Sequence, residues 1–306
     1  MKYRSVSAIA FLFVISGCAS LSRDQVKSVN VYSQLLKEYT AYPGTAITEL
    51  VDLEYEATLL NSGTFADRLA NQQLWSAYDS KKSQLAAAAD VDLSIQILGD
   101  YADALVKLSS KDLRDSIGTS SLRLGTNIDS SIAQYNSSPK TVKKIPIGIG
   151  SLVGEGITFL GTHYTRNEQA RKLKQYVKEG NVLIPIVTDA IALGMKELIM
   201  GNGITNLKEK IRINQTNLLQ NIPAEAYKAY YANEYNRGVA ALIVRTDKLE
   251  VLTGEVIDAV NNIKKAHQQL TDNLTEKKKL MNVLSDTQAL FISVRNLNQA
   301  YRQIKK

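Results

Sequence analysis

The residues able to do chemistry are few in this sequence. It contains two histidines, His163 and His267, and one cysteine, Cys18. The histidines stand 104 positions apart and no HExxH pair occurs, so a zinc site of the protease type has no ligands. One cysteine excludes an intramolecular disulfide, a thiolate zinc site and a c-type haem attachment. Asp90, Asp92, Asp100 and Asp103 lack the frame of a calcium loop and read as solvated helix charges. The spacing Gly148-x-Gly150-x-x-x-Gly154 misses the dinucleotide fingerprint, and no phosphate-binding loop with its lysine is present. No cofactor, metal or small-molecule substrate is expected. Glu155, set among apolar residues and glycines, is the best single carboxylate for a raised pKa. A lone general acid of that kind would suit a peptidoglycan-active enzyme. The plainer expectation is a glutamate paired with a cation from a facing helix, in a protein that is not an enzyme.

The cysteine carries a more specific message. Lys2 and Arg4 precede a ten-residue apolar run, Val6 to Ile15, and Ile15-Ser16-Gly17-Cys18 follows. Ten apolar residues are too few to span a bilayer, which takes about 20, and the layout is that of an export signal. Its ending resembles the lipobox of bacterial lipoproteins. The resemblance covers only these residues and names a processing class. It implies cleavage before Cys18, a diacylglycerol on the thiol and acylation of the new amino group. Ala19 in place of Asp leans toward the outer membrane, on its periplasmic side. The expected organisation is a signal peptide over 1–17, a lipidated N-terminus and short tether over 18–22, and one helical-bundle domain over 23–306. Residues 138–145 are the candidate internal boundary of that domain.

At 306 residues, with 44% hydrophobic and 22% charged side chains, the chain is long enough and apolar enough for a substantial core. Its formal charge of +7 is unevenly placed. Two charges belong to the signal, while residues 277–306 carry Lys277, Lys278, Lys279, Arg295, Arg302, Lys305 and Lys306 against Asp286 alone. A basic C-terminal face fits anionic lipid head groups, peptidoglycan carboxylates or an acidic envelope protein; nucleic acid is not expected as a partner of an exported chain. The bland alternative is a solvated helix face with cations at its C-terminal end. Tyr227, Tyr230, Tyr231 and Tyr235 share one helical face, as a helix–helix seam or as an aromatic platform for a glycan or protein.

The elements that would hold these residues are all helices. Val29, Tyr32, Leu36 and Tyr39 step by three and four, with a stop expected at Pro43-Gly44. Ile47, Val51, Tyr55 and Leu59 begin the next stripe, and Thr64 is an N-cap candidate for a helix running toward Ala89. Leu98, Tyr101, Leu105 and Leu108 form another stripe, and Ser137-Ser138-Pro139 punctuates the first half. Leu173, Val177, Gly180, Ile184, Val187, Ile191, Met195 and Leu198 form the cleanest one, with Pro185 inside it as an expected kink. From Pro223 on there is no proline, and Leu242, Leu249, Val256, Ile263 and Leu270 recur every seven residues. Leu252, Ala259 and Ala266 fill partner positions that Arg245 and Asn273 interrupt. One long helix, or two with a break near Thr271-Asp272-Asn273, is expected there. The fold expected is all-α, an elongated multi-helix bundle with long coiled-coil-like C-terminal helices.

Residues 145–161 hold five glycines and Glu155 as the one charge. They read first as a buried helix in which Gly150, Gly154 and Thr158 admit a close neighbour and Pro146 occupies the first turn. An alternative is a membrane-inserting segment, a layout loosely similar to that of α-helical pore-forming toxins. The main functional expectation is a lipid-anchored periplasmic scaffold or docking protein.

Overall fold

A computed structural model describes residues 21–304, except 61–66, 111–118, 140, 142, 163–164, 222–223, 227–231 and 277–279. The described residues are almost all helical and contain no strand. Helix α1, Arg23–Tyr39, starts on a capping box: Gln25 N donates to Ser22 Oγ at 3.1 Å, and Ser22 N donates to Gln25 Oε1 at 3.0 Å. It breaks at Thr40, three residues before the expected proline. Helix α2, Ala41–Leu59, takes Pro43 into its first turn, where a missing N–H costs no hydrogen bond. Helices α3, Asp67–Ala87, and α4, Ala89–Ser109, follow, then α5, Thr119–Ser137, and α6, Ile149–Thr162. Helix α7, Arg166–Met195, runs through Pro185 and opens into a π-helical turn over Lys196–Gly201. Helix α8, Gly203–Asn221, and a single turn α9, Ala224–Ala226, lead to α10, Ala232–Glu276, and α11, Leu280–Ile304.

At 45 residues α10 is about 67 Å long and forms the spine. Helices α1 and α2 lie antiparallel along one side of it. Gln25 Nε2 donates to Asn273 O at 2.8 Å, Tyr39 Oη donates to Val256 O at 3.3 Å, and Arg245 pairs with both Glu49 and Glu56. Helices α7 and α8 lie along another side, joined through Asn181 to His267, Asp189 to Lys264, and Lys208 to Asp247 and Glu250. Around the half where α1 begins, α4, α5, α6 and α11 complete the bundle; α3 covers α2 in the other half. From Asn273 to Arg245 the spine covers about 42 Å. The bundle is therefore elongated, with a proximal end at the start of α1 and a distal end around α2, α3 and α8.

The heptad row of Leu242, Leu249, Val256, Ile263 and Leu270 is buried, as are Leu252, Ala259 and Ala266. The two interruptions are where the first two helices attach: the Arg245 side chain binds α2, and the Asn273 carbonyl accepts from α1. A third row, Thr246, Thr253, Val260, His267 and Leu274, is buried as well. Thr246 and Thr253 satisfy their hydroxyls on the carbonyls of Leu242 and Leu249. Three adjacent rows make a face too wide for a two-stranded coil, so several helices share it. The helix continues through Thr271-Asp272-Asn273, the place of the break in the two-helix alternative, because Thr271 and Asn273 are buried.

The glycine-rich segment forms α6 and packs on α5. A Cβ on Gly125 would lie 2.6 Å from Gly150 O and 3.1 Å from Gly154 N, so the two backbones meet where side chains are absent. Asp129 of α5 caps α6: Gly150 N and Ser151 N donate to its two carboxylate oxygens, each at 2.8 Å. Gly148, with φ at +96°, turns the chain into the helix. Pro146 therefore lies in the approach and not in the first turn. Val153, Ile157 and Leu160 are buried, while Ser151, Glu155 and Phe159 are exposed, so α6 is amphipathic. No helix among the described residues is long and apolar enough to cross a membrane.

Candidate functional site

Of the basic residues singled out from the sequence, Arg295 and Arg302 are described, and α11 presents both to one groove. They stand one heptad apart and face α1 across a hollow of about 280 Å³ floored by Leu35 and Val294. The hollow continues past Asn298 and Arg302 toward Tyr42, Thr45 and Tyr301. Glu38 on the α1 wall accepts from Asn298 Nδ2 at 3.3 Å and from Tyr42 Oη at 3.4 Å. Burial first, and then the Glu38 charge, push the Tyr42 phenol up to about 12. Tyr42 and Tyr301 meet edge to face at 5.9 Å. Phe291 remains 54% exposed on the rim. Two guanidinium groups beside an apolar floor suit an acidic or amphipathic segment.

Cys18, Lys277, Lys278, Lys279, Tyr227, Tyr230 and Tyr231 lie outside the described residues, as does His163. Tyr235 is half-buried against the core. Glu155 is exposed on the outer side of α6, so the apolar surround expected for a raised acid is not there. The aspartates of α4 are not uniformly solvated. Asp103 pairs with Lys37, and Asp90 accepts from Ser138 Oγ. Asp100 is half-buried, and its carboxyl is pushed up to about 6 by burial and the nearby Asp103 charge. Among the described residues no group of three or more His, Cys, Asp or Glu side chains could hold a metal ion.

His267 has a role that its lone position in the sequence concealed. Its Nε2 accepts from Tyr101 Oη at 2.7 Å, and its Nδ1 faces Asn181 Oδ1 at 3.1 Å. Asn181 Oδ1 also accepts from Thr271 Oγ1 at 2.9 Å. An acceptor at Asn181 fixes the proton on Nδ1 and leaves Nε2 free to accept, so the ring is neutral. Burial holds its pKa down at about 3. Tyr101 stacks on Tyr176 at 4.9 Å, and Tyr32 approaches His267 edge-on at 5.6 Å. The Tyr32 and Tyr176 hydroxyls are buried and have no partner among the described residues. These side chains join α1, α4, α7 and α10 within the core, so the cluster binds helices together.

The distal half carries two features not singled out from the sequence. On α3, Trp75 is 62% and Tyr78 53% exposed, and their rings meet edge to face at 6.2 Å. Leu74 beside them is also exposed. The available signal was the chain's one tryptophan, followed three residues later by a tyrosine on the same helical face. Next to them a polar cleft of about 290 Å³ lies between α2, α3 and α8. Lys210 reaches into it and donates to Glu54 O at 3.3 Å, with its pKa lowered by burial against the opposing pull of Glu54. No protein-family model, curated protein or solved structure matches this chain.

Proposed function

We propose that this chain is a lipid-anchored helical docking protein of the bacterial cell envelope, held through Cys18 at the periplasmic side of the outer membrane. It engages a partner protein through its side chains and performs no chemistry. The observation that carries this reading is the exposed Trp75–Tyr78 pair on α3. Trp and Tyr dominate binding energy where proteins meet, because large rigid rings bury much area at little entropic cost. A tryptophan left mostly in water on a helix with an ample core beside it is the surface of an interaction. The α1–α11 groove, with Arg295 and Arg302, is a second contact for an acidic part of the same partner.

A photocrosslinking residue placed at position 75 in living cells should give one discrete adduct, reduced by Tyr78→Ala and absent at the exposed position 178 of α7. Crosslinking of equal strength at both positions, or none at 75, would refute docking through this face. Palmitate labelling tests the anchor separately: Cys18→Ala should abolish it and release the protein from membranes.

A further inference from the structure

We infer that the proximal end of the bundle is a docking surface for an anionic lipid leaflet, with the first turns of α1 and α7 against the head groups. The inference rests on acylation at Cys18 and adds an orientation and a lipid chemistry to it. Chain length supplies the first argument. From Cys18 to Ser22 there are four residues, which span at most about 14 Å when fully extended. Ser22 is already fixed as the cap of α1, so the helix start cannot stand far from an anchored Cys18.

The ends of four helices gather at this level. Gln25 reaches α10 near its end; Ser109 Oγ, at the close of α4, donates to Asn30 Oδ1 of α1 at 2.7 Å. Gln169 Nε2 of α7 donates to the carbonyls of Leu108 and Ser110. The starts of α1 and α7 therefore project toward the same end, each with the partial positive charge of a helix N-terminus; Ser22 and Thr165 cap one N–H of each.

Charge supplies the second argument. Arg23, Lys27 and Arg166 are exposed there and make no ion pair among the described residues, and Lys174 follows them two turns along α7. Lys172 lies over the half-exposed ring of Phe159, a cation beside an aromatic of the kind that sits at a head-group interface. Among the described residues the opposing acids are Asp24, Asp272 and Glu168, the last already held by Arg171. In the distal half, Lys81, Lys208, Arg212 and Arg245 are held in ion pairs. Free cations beside a short tether fit phosphatidylglycerol-like head groups.

The test uses the acylated protein isolated from membranes and reconstituted into vesicles of phosphatidylcholine, alone or mixed equally with phosphatidylglycerol. Backbone hydrogen exchange in the first two turns of α1 and α7 should slow several-fold on the anionic vesicles relative to the neutral ones. The variant Arg23→Glu, Lys27→Glu, Arg166→Glu should lose that difference while exchange in the centre of α10 stays unchanged, which verifies folding. Equal exchange on both vesicles, or a difference that survives charge reversal, overturns the surface while palmitate labelling still supports the anchor. Absence of palmitate overturns the anchor reading, and the orientation with it. Protection confined to α3 or α11 would indicate an acidic protein carried through purification and equally overturns the lipid assignment.

Discussion

The Tyr101 hydroxyl reaches His267 directly over Gly180, where α7 has no side chain. A Cβ at Gly180 would overlap the hydroxyl and lie 2.6 Å from His267 Nε2. Gly180→Ala should therefore force the Tyr101–His267 hydrogen bond open and cost about 1–3 kcal/mol through overpacking. Urea denaturation monitored by circular dichroism measures it. A stability equal to the wild type would show that the backbone yields there without cost.

The tyrosines around His267 should respond unequally to loss of their hydroxyls. Tyr101→Phe leaves a buried acceptor without its donor and should destabilise by about 1–3 kcal/mol. Tyr32→Phe and Tyr176→Phe remove groups that have no partner among the described residues, so both should be neutral or stabilising. Destabilisation by all three substitutions would mean that the unpaired hydroxyls are satisfied in solution.

Acid should act on two buried groups with opposite sign. His267 is lowered from 6.5 to about 3, so between those values the unfolded chain binds the extra proton and stability falls as pH falls. Asp100 is raised from 3.8 to about 6, so the folded chain binds the proton first and stability rises as pH falls through that window. His267→Gln should flatten the acid loss between pH 6 and 3. Asp100→Asn should instead steepen it and raise stability at neutral pH. Unfolding midpoints at several pH values for both variants give the comparison; slopes identical to wild type would contradict these assignments.

Asp129 caps α6 from another helix, so Asp129→Ala should cost about 0.5–2 kcal/mol and be read first as faster exchange at Gly150 and Ser151. Unchanged exchange at those two amides would show that the α5–α6 backbone contact alone holds the helix start.

Much of the architecture was legible in the sequence because a wide apolar face leaves a periodic record. The seven-residue row from Leu242 to Leu270 marked α10, and Leu98 to Leu108 marked α4. Residues that join helices are harder to read, because their partners lie far along the chain. Arg245 and Asn273 looked like faults in a heptad, and Gly180 looked like one more member of an apolar stripe. Only the placement of Glu49, Glu56, Gln25, Tyr101 and His267 explains them. The basic residues 295 and 302 were found through charge alone, and the groove between them and α1 depends on tertiary packing. Trp75 escaped notice because exposure is set by what a helix fails to cover.

Placing the spine near the end of the chain has a consequence for how the protein is made. Gln25 and Asn273 meet across 248 residues, Tyr39 and Val256 across 217, and Arg245 and Glu56 across 189. During synthesis, the first two helices exist long before the helix that completes the cover of their apolar faces. Local helices form within about a microsecond, but closure of these distant pairs waits for the last quarter of the chain. A helical protein with contacts this remote should fold slowly for its class, and its early segments need shielding until α10 arrives.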